Sequence, residues 1–320
     1  MTRIKEEIIP LLASNLRDIL EQVNERILEQ TEEIRLRIKQ PLILKLNQGE
    51  AILTSDGQVT TNIKQAYYTK AQDLKESLNL MTQSSLYALE EELKQGYLTL
   101  EGGHRVGFVG QAVADIDKIE LIKNISALNI RVSQQIIGAA ESVIQQIIKD
   151  RADIYNTLVI SPPQCGKTTL LRDIIRQLSN GIPELNFSGL TVGVVDERGE
   201  LAGSYQGVPQ NRLGIRTDVL SNSPKSQGMI LLIRSMSPEV IVTDEIGTRA
   251  DVKAILEALN AGVRVVASVH GNDLAEIEQR PNLKDLLAVN CIDRFIVLSR
   301  RRGPGTVEKI INAKQRRRSW

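Results

Sequence analysis

The sequence predicts an α/β protein in two parts: an α+β domain over residues 1–137, then, over 138–320, a mainly parallel sheet covered by helices. Its 320 residues exceed the ~100–200 of one ordinary domain. Up to about residue 135, helical and strand periodicities interleave irregularly. Beyond it, short continuous β-branched runs alternate with helical stretches, the pattern of parallel strands buried on both faces.

The elements follow in order. From residue 3 to about 30, Ile4, Ile8, Leu11, Leu12, Leu16, Ile19, Leu20, Val23, Ile27 and Leu28 recur at helical spacing, with a break near Pro10. Ile34, Leu36 and Ile38 alternate with Arg35, Arg37 and Lys39, and Leu42, Leu44 and Leu46 alternate after Pro41, giving two half-buried strands. Helical spacing returns over 71–81 and 84–95, the second ending at Gly96 as a C-cap. Short strands are expected near 97–100, 105–112 and 126–132, and a helix over 140–149. The strand runs of the second part are Thr157–Ile160, Val192–Val195, Val240–Thr243, Val263–Ser268 and Phe295–Leu298. The seam between the two parts falls near 135–150.

Composition excludes several classes. Hydrophobic residues at 42% and charged ones at 25% are those of an ordinary globular protein. Lys+Arg 40 against Asp+Glu 39 leaves no global field for a polyanion, and 3% aromatics furnish no stacking platform, so no specific nucleic-acid partner is expected. The balance hides an asymmetry. Residues 1–150 carry 17 basic and 21 acidic side chains, 151–299 carry 15 and 17, and 300–320 carry eight and one, so the positive excess reads as a basic C-terminal tail. The longest runs without Asp, Glu, Lys or Arg are 13 residues, short of the ~18 of a membrane span. The acidic start MTRIKEEIIP is unlike an export signal. Cys165 and Cys291 form no CxxC, and a reducing cytoplasm with free thiols is expected.

The chemistry concentrates in Ser161-Pro162-Pro163-Gln164-Cys165-Gly166-Lys167-Thr168-Thr169, which follows a strand and precedes a helix. That is the context of a P-loop: unpaired backbone N–H groups face an anion, Lys167 reaches the β/γ-phosphates, and the Thr168 hydroxyl joins a Mg²⁺ shell. Ser161 replaces the first glycine of GxxxxGK[ST], which costs energy only if that position needs a positive φ. The second part is therefore expected to be RecA/AAA-like, with ATP and Mg²⁺ as its ligands.

Turnover also needs acids. The strand before Asp244-Glu245 would place Asp244 on the magnesium and Glu245 beside the attacking water. Asp196-Glu197 closes the preceding strand on the same sheet edge, so Glu197 competes as the catalytic base. His270 ends the strand after that and could sense the γ-phosphate.

A GKT loop, two strand-terminal acid pairs and a strand-terminal His resemble, in this order, the Walker A, Asp box, Walker B and His box of the type II and type IV secretion ATPases. The chain is more similar still to the stage III sporulation protein AA family. The resemblance lies in Glu33-Ile-Arg-Leu-Arg37, Gly102-Gly-His-Arg-Val-Gly107, Ile125-Ser-Ala-Leu-Asn-Ile-Arg131, Val195-Asp-Glu-Arg198, Arg216-Thr-Asp-Val219 and Arg234–Gly247. It spans roughly 30 to 310; Ser161 and Gln164 stand where that pattern has glycines. It implies a ring-forming, homo-hexameric motor ATPase that energises a channel during endospore formation through integral membrane partners. The implied location is cytoplasmic, peripheral at the inner face of the mother-cell membrane.

In a ring, arginines reach phosphates, and Arg131 and Arg105 are the candidates, with Arg212, Arg216 and Arg234 behind them. Two other readings remain at this level: a nucleic-acid-directed ATPase using the 300–320 tail, and a nucleotide-dependent docking module with little turnover.

Overall fold

The computed structural model describes residues 2–82, 96–115 and 118–313. The chain divides into two compact units after Gln134. The helix expected over 84–95 lies outside the described residues, as does the end of the basic tail.

The first unit is built on an antiparallel sheet of β1 (Thr31–Arg37), β2 (Ile43–Leu46), β3 (Glu50–Leu53), β4 (Val59–Thr60), β5 (Tyr97–Thr99), β6 (Arg105–Asp115) and β7 (Lys118–Arg131), in the order β4-β3-β2-β1-β7-β6-β5. The alternation in β1 buries Ile34 and Leu36, and Ile34 pairs with Leu44 of β2. The N-terminal helical stretch is segmented into a π turn (Ile4–Ile8), a 3-10 turn (Ile9–Leu11) and helices Ser14–Glu21 and Glu25–Glu29. Pro10, which has no N–H to donate, sits at the first break, and Asn24 caps the last piece through Arg26 N–H at 3.0 Å. Ile4, Ile8, Leu12, Leu16 and Leu20 pack into one core with the sheet. The β6–β7 hairpin runs well past the strands expected from the sequence. Between Phe108 and Leu128 none of the residues whose burial is described is buried, and without a buried face the alternation signal fades.

His104 locks this unit. Its ring is buried, Nδ1 accepts from Ser133 N–H at 3.0 Å, and Nε2 therefore donates to Glu7 Oε2 at 2.6 Å. Burial pushes the imidazole pKa down against the pull of Glu7. Arg3 completes the cluster through Glu7 and the carbonyls of Ser133 and Gly102.

The second unit carries β10 (Thr157–Ser161), β11 (Val192–Asp196), β12 (Thr217–Ser221), β13 (Val240–Glu245), β14 (Arg264–His270), β15 (Arg294–Ser299) and β16 (Thr306–Asn312), in the order β12-β11-β13-β14-β10-β15-β16. All pairs are parallel except β15–β16. Val159, Val194, Val242 and Ile296 pack on one face with Leu171 and Ile174 of helix Lys167–Asn180. Leu158, Ile160, Ile241 and Val265 pack on the other with Met229 of helix Lys225–Met236 and Ile255 of helix Arg249–Asn260.

Three expectations change here. The helix expected over 140–149 stops at Ile147, and β8 (Ile148–Asp150) pairs back onto β9 (Asp153–Ile154). Residues 306–312 are the antiparallel edge strand β16, so what read as a basic C-terminal tail is in part sheet. Finally β10, β11, β13 and β14 each run past the apolar residues, to Ser161, Asp196, Glu245 and His270. Polar side chains at the carboxyl ends of parallel strands interrupt the hydrophobic pattern where ligands bind.

Among the described residues, no helix is long and apolar enough to cross a membrane. Both cysteines are free.

Candidate nucleotide site

The loop 162–166 leaves β10 at Ser161 and turns into helix Lys167–Asn180. Ser161 is an extended strand residue registered with His270, so the missing first glycine carries no positive-φ penalty. The left-handed positions are Gln164, at φ 58°, and Gly166, at φ 83°. Gly166 is the helix N-cap, and a Cβ there would come within 2.8 Å of Gly305 N. Gly305 N–H donates to Cys165 O at 2.9 Å, and Arg300 donates to Gln164 Oε1 at 3.3 Å, so the β15–β16 turn braces the loop. No side chain caps the helix, and the first amide with a partner is Leu170, bonded to Gly166 O. This leaves the amides before it to an anion, with the positive end of a 14-residue helix behind them. Pro162 and Pro163 supply no N–H, Thr168 and Thr169 are half-buried, and Lys167 is buried. Burial lowers the Lys167 pKa, and Glu245 and Asp244 are the charges that oppose this most.

The acids arrive from the neighbouring strands. The register between β13 and β14 slips between Thr243 and Glu245, making Asp244 a bulge residue. A bulge re-aims a side chain, and here Asp244 is buried while Glu245 stays partly exposed. Glu245 Oε2 lies 3.1 Å from His270 Nε2 and 3.5 Å from Arg198 Nη1. Glu197 is ion-paired with Lys225, whose Nζ also stands 3.5 Å from Asp244 Oδ1. Asp196, the other member of the first pair, serves the chain itself, accepting from Glu200 and Ala202 N–H at 2.9 and 2.7 Å. Burial raises its pKa against those bonds.

Asp244 Oδ1 is buried, accepts no hydrogen bond and has its pKa raised by burial against the charge of Lys225. Among the described residues no group of three or more His, Cys, Asp or Glu could hold a metal by itself. One buried carboxylate, a hydroxyl at Thr168 and phosphate oxygens suit the way Mg²⁺ binds with a nucleotide, so the residues present fit that ion.

Arg105 and Arg131 belong to the first unit, where they face each other in the β6–β7 register. Arg105 lies 3.5 Å over the Tyr97 ring, and Arg131 Nε is 3.4 Å from Glu33 Oε1. In the second unit Arg216 donates to Ser179 O at 2.6 Å, near the end of the P-loop helix. Lys225 escaped the sequence reading because a lysine opening a helix looks like surface charge; only its position between the two acid strands marks it.

The family model described as "Sporulation stage III, protein AA" matches residues 2–318. The chain belongs to the stage III sporulation protein AA family. Its relative of that name from Bacillus subtilis (strain 168) is 40% identical over 304 residues, covering 95% of this chain and 94% of that one. Among solved structures, the pilus retraction motor PilT with bound ADP matches with TM-score 0.58 at 13% identity, over 91% of this chain and 77% of that one. The ATPase DotB of Legionella pneumophila matches with TM-score 0.55 at 16% identity, over 85% and 74%. At such identities the likeness is one of fold. This member of the stage III sporulation protein AA family has an N-terminal domain followed by a RecA-like P-loop domain, the fold it shares with PilT and DotB.

Proposed function

We propose that this chain is a magnesium-dependent ATP hydrolase, working as a homo-hexameric motor ring that energises a membrane channel or secretion complex during endospore formation. The observation that carries the reading is convergence at one sheet edge. An uncapped P-loop helix, the Asp244 carboxylate whose Oδ1 accepts no hydrogen bond, Glu197, Glu245 and His270 all end or follow adjacent strands that are distant in sequence.

Lys167 and the first-turn amides bind the β- and γ-phosphates, and Thr168 and Asp244 hold the magnesium. The ion, when bound, neutralises charge on the phosphates. Glu197 or Glu245 orients the attacking water and takes its proton, while His270 keeps Glu245 beside the P-loop strand. Arg131 or Arg105 reaches the phosphates within the ring. Val208 and Ile215, 60% and 79% exposed, offer apolar surface to a neighbouring subunit. The ring sits at the cytoplasmic face of the mother-cell membrane through integral membrane partners, a placement supported by the family resemblance.

Turnover of Mg-ATP tests the reading. Lys167→Ala is expected to abolish it, and full activity in that variant sinks the site. Loss in Glu197→Gln with retention in Glu245→Gln makes Glu197 the base, and the reverse result makes it Glu245. Specific activity that rises with protein concentration and then saturates supports shared sites in a ring; a constant value argues for a self-contained monomer.

A further inference from the structure

Lys225 opens the 12-residue helix Lys225–Met236 directly after its N-cap, Pro224. A cation there meets the positive end of the helix dipole, and this one is also only 6% exposed. Both placements disfavour an ammonium. What offsets them is the pair of carboxylates it touches, Glu197 after β11 and Asp244 in the bulge of β13. Burial lowers the Lys225 pKa, yet the net shift is upward, because the Glu197 hydrogen bond and the Asp244 charge outweigh it. The ion pair thus joins the candidate base to the candidate magnesium ligand. Among the described residues, Lys225 makes no hydrogen bond or ion pair with the P-loop.

We propose that Lys225 is a positioning residue that fixes the Glu197 carboxylate and acts as an internal counter-cation of the magnesium site, competing with the divalent ion for Asp244 Oδ1. The proposal rests on the ATPase reading above. As the ion takes Asp244, Lys225 is left to Glu197 alone, so occupancy of the metal site and the aim of the base are coupled through one ammonium. A lysine that served only to fill space would show no such coupling.

The test compares the full-length wild type with Lys225→Met and Lys225→Arg, after thermal melts establish that each is folded. Mn²⁺ binding is titrated in the presence of saturating ADP, whose phosphate oxygens complete the site, and affinity for a fluorescent ADP analogue is measured with and without Mn²⁺. Removing the competing charge is expected to tighten Mn²⁺ binding in Lys225→Met at least about fivefold. It should also lower kcat by about 10–100-fold while nucleotide affinity stays within about threefold. Lys225→Arg, which keeps the charge, should restore Mn²⁺ affinity to the wild-type value. A folded Lys225→Met with wild-type Mn²⁺ affinity overturns the proposal and leaves the ATPase reading standing. A wild type that takes up no fluorescent ADP in the presence of Mn²⁺ overturns both.

Discussion

His270 Nε2 lies 3.1 Å from Glu245 Oε2, and the other ring nitrogen faces the carbonyl of Ser161 at 3.2 Å. One imidazole therefore ties the strand that launches the P-loop to the carboxylate that ends β13.

Replacing that link separates positioning from binding. His270→Ala should lower kcat of ATP hydrolysis by about 10–100-fold while nucleotide affinity changes less than about threefold, since Lys167 and the helix amides are untouched. Steady-state kinetics beside a nucleotide-binding titration checks this. Equal losses in both would place His270 among the binding groups instead.

The two left-handed loop positions should respond oppositely. Gly166→Ala forces a Cβ into φ 83° and toward Gly305 N, and is expected to cost about 1–2 kcal/mol of stability and at least about tenfold in nucleotide affinity. Gln164→Gly removes a side chain from φ 58° and should leave stability unchanged or raise it by up to about 1 kcal/mol. Thermal or urea melts of both variants decide the matter.

Asp153 holds Arg264 through both carboxylate oxygens at 2.6 and 2.7 Å and takes Lys149 at 2.6 Å. Burial opposes its charge, but those partners hold its pKa down at about 2, against an ordinary 3.8. A depressed carboxylate stabilises the fold above the unfolded pKa, and the contribution fades as pH falls from about 4 towards 2. Asp153→Asn should therefore cost about 1–2 kcal/mol at pH 7, discounted for partial exposure, with the gap to wild type narrowing below pH 4. Urea titrations across that range would show it, and a gap independent of pH would count against the ion pair.

In the first unit the sign reverses in origin but not in direction. The His104 pKa is depressed by burial below its ordinary 6.5, so the unfolded chain takes a proton before the folded one does. Stability should be complete above pH 6.5 and fall as the pH drops towards the lowered value. His104→Gln should be less stable at pH 7.5 and lack that dependence, as followed by denaturation from pH 7.5 to 5.

Much of the fold was legible in the residues. The alternation of Ile34, Leu36, Leu42 and Leu44 placed the β1–β2 pair, and the buried runs of β10, β11, β13, β14 and β15 placed the parallel sheet. Legibility failed where burial is one-sided or absent. The five residues of β12 are all half-buried, and the outer part of the β6–β7 ladder, between Phe108 and Leu128, buries none of its described side chains, so neither carries a strong period. The edge strand β16 was hidden by the positive charge around it.

The sequence by itself determined the chemistry available: a GKT loop between strand and helix, two acid pairs and a histidine at strand ends, and membership of a family whose motifs span the chain. Those are local facts, because a loop between a strand and a helix, and a polar residue ending an apolar run, need only neighbours to be recognised. Only the tertiary structure decided which groups meet. It gave Asp196 to backbone amides, bulged Asp244 into burial, brought Gly305 against Gly166, and inserted Lys225 between Glu197 and Asp244. The last three depend on pairing between strands far apart in the chain, where one residue of slip turns a side chain to the other face.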